Sequence, residues 1–133
     1  MDEKKLSAIL SGREALNQLA IVNSYLSQAR GWGVVDILGG STFTSVMKHS
    51  KINKANTAAI YAQRSLSRFI SYVQDIQLNI DLHVDIGTLL LLVDILGDST
   101  LFDIVTQVRI NRARENVGIA MRTIQAIISQ LQQ

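Results

Sequence analysis

Along the first part of the chain, Leu6, Ile9, Leu16, Leu19, Val22, Leu26 and Ala29 recur at steps of three, four and seven. That spacing gathers side chains on one face of a helix. The pattern runs from Lys4 to Ala29 and stops at Gly31-Trp32-Gly33. A second series, Ala55, Ala59, Ala62, Leu66, Phe69, Val73, Ile76 and Ile80, alternates steps of four and three, the heptad spacing of a helix packed along a seam. A third, Ala113, Val117, Ala120, Ile124, Ile127 and Leu131, repeats the small-to-large order of the second. Between them lies the apolar run from Ile86 to Leu96, which holds Leu89-Leu90-Leu91-Leu92-Val93. As a helix it spans only ~16 Å, short of a ~30 Å bilayer core, so it is predicted to be a buried central strut with no transmembrane segment.

The second and third series belong to an internal repeat. At an offset of 58, Val35 to Val73 aligns without a gap on Val93 to Leu131, with 14 of 39 positions identical. Coincidence would give about two or three. Each copy opens on Val-Asp-Ile-Leu-Gly, at 35–39 and 93–97, followed by Ser41-Thr42 or Ser99-Thr100. This reads as a corner. Gly39 and Gly97 are expected to close a helix in the left-handed conformation, and Ser41, or Asp98 and Ser99, to cap the next one. Gly118 interrupts the second seam, which predicts a close helix crossing there. The expected fold is all-α, one domain over 1–133: an antiparallel four-helix bundle made of two tandem helix-corner-helix repeats, 35–73 and 93–131. Short connections favour antiparallel neighbours, so both corners fall at one end and a pseudo-twofold axis relates the copies.

Composition narrows the function classes. Hydrophobic residues make up 47% of the 133 and charged ones 18%. Soluble domains carry about one quarter charged, so apolar surface is left over for a partner. There is no cysteine, which removes disulfides and thiolate chemistry. The start, Met1-Asp2-Glu3-Lys4-Lys5, lacks the apolar core of a secretory signal, and a cytoplasmic location is expected. A net charge of +2 is too small to point to nucleic acid.

Asp36 and Asp94, equivalent in the two copies, are the candidate functional pair, since a symmetric bundle can bring two carboxylates together. The blander reading pairs each with a retained arginine, Arg64 or Arg122. After each corner comes a basic group, with Lys48, His49, Lys51 and Lys54 in one copy and Arg109, Arg112 and Arg114 in the other. If they share one end they form a patch for an anionic partner or a membrane surface; otherwise they are solvated cations. Trp32 either anchors a partner or plugs the bundle end. Two histidines at non-equivalent positions, with no Glu-x-x-His spacing, give no metal site, and Gly39-Gly40-Ser41-Thr42 lacks the lysine of a phosphate loop. No catalytic residue and no cofactor is expected.

At Gly31-Trp32-Gly33-Val34-Val35-Asp36-Ile37-Leu38-Gly39-Gly40, continued by Lys48-His49-Ser50-Lys51-Ile52, the chain resembles a group of uncharacterised helical proteins of low-GC Gram-positive bacteria. The resemblance covers the middle of the chain and implies a helical, cytosolic protein without assigning an activity. Taken together, the residues predict a non-enzymatic interaction or scaffold protein that forms homo-oligomers or binds another protein. The alternative is a small binding protein that holds an anionic ligand or membrane surface at the corner end.

Overall fold

The computed structural model describes residues 2–29, 42–98, 101–102 and 107–133, with the side chains of 42–50 and 107 left aside. Among these residues four α-helices follow one another: α1 Glu3–Ala29, α2 Thr42–Gln77, α3 Ile86–Leu96 and α4 Gln107–Leu131. They pack in a ring, α1 on α2, α2 on α3, α3 on α4 and α4 on α1, with the backbones of the diagonal pairs farther apart among the described residues. Exchanging the two halves of the chain leaves this neighbour scheme unchanged, as a pseudo-twofold relation requires.

Cross-helix contacts fix the directions. Lys4 pairs with Asp75 at 3.4 Å and Glu14 with Arg68 at 3.8 Å, so α1 and α2 run antiparallel. Gln63 Nε2 donates to the Val93 carbonyl at 3.4 Å, and the Phe102 amide to Asn56 Oδ1 at 3.3 Å, so α3 runs back along α2. At the opposite end of the bundle Gln130 clamps the α2–α3 turn. Its Oε1 accepts from the His83 amide at 3.2 Å and its Nε2 donates to the His83 carbonyl at 2.9 Å. All four helices therefore alternate in direction, so that the end of α1, the start of α2, the end of α3 and the start of α4 lie at one end of the bundle.

The two seams fill the core alike. Ile52, Ala55, Ala59, Ala62, Leu66, Phe69, Ile70 and Val73 are buried, and so are Ile110, Ala113, Val117, Ala120, Ile124, Ile127, Ile128 and Leu131, each 58 positions later. The first seam ends at Ile76, since Ile80 lies past the end of α2.

Four expectations need correction. On α1, Leu6 is 45% exposed, and small residues, Ala8, Ser11, Gly12 and Ala15, line the buried face with Ile9, Leu19, Val22 and Leu26. The close crossing is at Gly12, not Gly118. A Cβ on Gly12 would lie 2.8 Å from Phe69 Cε1 and 3.0 Å from Ile128 Cδ1, whereas one on Gly118 would meet only Arg122 Nη1 at 3.6 Å. Nor is α3 a central strut: it buries Leu89, Leu92 and Leu96 and leaves Leu90 and Leu91 half-exposed, because it has helices on two sides only. Finally, Gly97 closes α3 in right-handed geometry, with φ −77° and its amide donating to the Val93 carbonyl at 3.0 Å. A Cβ at this position would displace the Gln63 amide group, which donates to the Val93 carbonyl. Gly39, Ser41 and Ser99 lie outside the described residues.

At its other end α3 is capped by Asp85, whose carboxylate accepts from the Thr88 amide at 3.3 Å and the Thr88 hydroxyl at 2.6 Å. The Thr88 hydroxyl, then its amide, holds the Asp85 carboxyl below the usual carboxylate range.

Candidate functional site

The corner end carries two grooves. One, of about 320 Å³, runs between the end of α3 and the start of α4, lined by Asp94, Ile95, Asp98, Arg109, Arg112 and Asn116 among others. The other, of about 390 Å³, runs between α1 and α2 and is lined by Ile21, Tyr25, Asn53, Lys54, Thr57 and Tyr61 with Gln18 and Ala58. Because α1–α2 and α3–α4 are opposite sides of the ring, these grooves face away from each other. They are nevertheless equivalents under the duplication: Lys54 and Arg112 stand 58 positions apart, as do Ala58 and Asn116, and each pair supplies one residue to each groove.

Three of the sequence candidates, Asp94, Arg109 and Arg112, therefore meet in one groove. Lys54 lines the other, and Lys51 is exposed nearby on α2. Among the described residues, Lys54 and the pair Arg109 and Arg112 thus line separate grooves on opposite sides of the ring. The α3–α4 groove also holds two carboxylates beside its two guanidinium groups, so its charge is balanced. Asp94 is exposed and forms no ion pair with Arg122. Trp32 and Asp36, and most residues that carry the family resemblance, lie outside the described residues, as does the Lys48 side chain.

Reading by residue type overlooked Asp98 and Asn116 in one groove and the Tyr25–Tyr61 walls of the other. The offset of 58 carried the missing signal, since it makes Lys54 and Arg112 equivalents and leads to their neighbours. Arg114 was grouped with the surface cations, yet it is half-buried and its Nε has no hydrogen-bond partner. Its equivalent, Asn56, turns inward to hold the Phe102 amide. Among the described residues no three His, Asp or Glu side chains gather where a metal could bind.

Fold and grooves together define an all-α four-helix bundle with duplicated corner-end grooves. No family, curated protein or solved structure matches the chain. No helix among the described residues is long and apolar enough to cross a membrane.

Proposed function

We propose that this chain is a non-enzymatic helical interaction protein that assembles with further copies of itself. One observation carries the reading. The most apolar helix among the described residues, α3, turns part of its apolar surface outward, with Leu90 46% and Leu91 54% exposed. Aliphatic side chains held in water by a rigid element favour burial against a partner. A partner of identical sequence is the commonest arrangement for soluble oligomers. Sedimentation velocity from about 10 µM to 1 mM should show a mass that rises with concentration, a range matched to affinities from micromolar to millimolar. A strict monomer throughout would refute it.

A second reading rests on the α3–α4 groove, which brings Asp94, Arg109 and Arg112 to one place. Arginine forks at the mouth of a groove suit a carboxylate or phosphate group, free or on a membrane surface. Binding of anionic vesicles or inorganic phosphate that is unchanged in Lys51→Glu and Arg109→Glu would remove this reading.

A further inference from the structure

The face shared by α2 and α3 differs in its charge from the face shared by α1 and α2. On α3, Ile86, Leu90, Val93 and Gly97 form one row, and the row runs alongside α2, since Gly97 abuts Gln63. On α2 the neighbouring row is Ile60, Ser67, Ser71 and Gln74, with Leu78 just past the end of the helix. None of these positions is charged, and Ile60, Leu78 and Leu90 are 39%, 82% and 46% exposed. The α1–α2 face, by contrast, is crossed by the Lys4–Asp75 and Glu14–Arg68 ion pairs. The serines are small enough to let a second helix come close.

Two exposed charges flank the uncharged strip, Arg64 on α2 and, on the outer side of α3 where it also borders the α3–α4 groove, Asp94. Their chain neighbours Gln63 and Val93 are joined by a hydrogen bond, which sets the two charges within about a helical turn of each other in height. They are not paired with each other in the chain. Both residue types recur in the repeat, as Arg122 and Asp36.

A twofold axis parallel to the helices preserves height and exchanges left for right. It sets α2 of one copy against α3 of the other, twice. Arg64 of each copy then meets Asp94 of its partner, and the row through Leu90 lies on the partner's serine row. Resting on the self-association reading above, we infer that the α2–α3 face is an isologous dimer surface, closed by two reciprocal Arg64–Asp94 pairs between copies. Because α3 is only ~16 Å long, the contact falls at the small end of interface sizes and the dimer is weak.

The test is charge exchange followed by sedimentation velocity. Arg64→Glu alone and Asp94→Arg alone each place like charges at both crossings and should weaken dimerisation about tenfold or more. An equimolar mixture of the two variants restores both crossings in the heterodimer, so the mixture should dimerise near the wild-type level. Rescue in the mixture requires contact between copies, since an effect within one chain would persist. Leu90→Glu should abolish dimerisation without rescue by either variant. Both charged positions are exposed, and unchanged circular dichroism will confirm the fold. If wild type associates while both charge variants associate equally well, or the mixture is no better than either alone, the α2–α3 face is refuted and self-association stands. A wild type monomeric throughout sinks both.

Discussion

Substituting alanine for Gly12 of α1 and for Gly118 of α4 should change stability in opposite directions. In a free helix position Gly→Ala gains about 1 kcal/mol, and Gly118 meets this condition, its nearest neighbour being an arginine tip at 3.6 Å. At Gly12 the same methyl group would enter a space already bounded on two sides. Phe69 Cε1 would stand at 2.8 Å and Ile128 Cδ1 at 3.0 Å, and these side chains belong to α2 and α4. Moving either one away displaces a buried core side chain, with Phe69 at 0% exposure and Ile128 at 8%. Overpacking of this kind costs roughly 1–3 kcal/mol, which outweighs the helical gain. Gly12→Ala should therefore lose about 1–2 kcal/mol, a fall of roughly 3–10 °C in Tm for a domain of this size. Gly118→Ala should gain up to about 1 kcal/mol. Thermal melts and urea titrations of both variants measure the difference. Phe69→Leu placed in the Gly12→Ala background should cost less than it does alone, because the methyl group then occupies vacated space. A Gly12→Ala protein that melts at or above the wild-type temperature would refute the close crossing.

Leu66 is fully buried in the first seam, and Leu66→Ala should cost about 2–5 kcal/mol in a urea titration. Gln130→Ala removes both hydrogen bonds to His83, so amide exchange of His83 should accelerate while global stability changes by about 1 kcal/mol or less. Asp85→Ala should lower Tm by removing the α3 cap, and the effect should depend on pH. The folded carboxyl titrates below its ordinary value of 3.8, so its contribution is present above that pH and is lost as the pH falls through the lower folded value. Stability curves of wild type and variant should run apart at neutral pH and converge in strong acid.

The paired seams of α2 and α4 were legible because large apolar side chains at heptad spacing have one way to be buried together. On α1 the same logic failed at Leu6, since Ala8, Ser11, Gly12 and Ala15 hold the crossing by being small, and a count of hydrophobicity gives small residues little weight. The run of leucines in α3 misled for a different reason. Composition states how apolar a helix is, but the number of sides covered depends on how many neighbours it has, and α3 has two. Arg109 and Arg112, which follow the second corner, share a groove with Asp94, which precedes it. Lys54 does not join them, because the symmetry that makes it equivalent to Arg112 also carries it to the opposite side of the bundle.

Duplication has produced two long helices with matching seams and two unequal partners for them. α1 offers 27 residues and buries nine of them; α3 offers 11 and buries three. Were α3 only a lid over the seams of α2 and α4, polar residues would serve on its outer side at no loss to the core, as polar residues do elsewhere on solvent-facing helices. Leu90 and Leu91 instead remain exposed beside Gly87 and Asp94. Exposed leucines contribute nothing to the fold of a single copy and reduce its solubility, whereas across a contact between copies each buried leucine contributes on the order of 1–2 kcal/mol. Under the proposed self-association, the half-exposed leucines of the short helix are the surface that a second copy would cover.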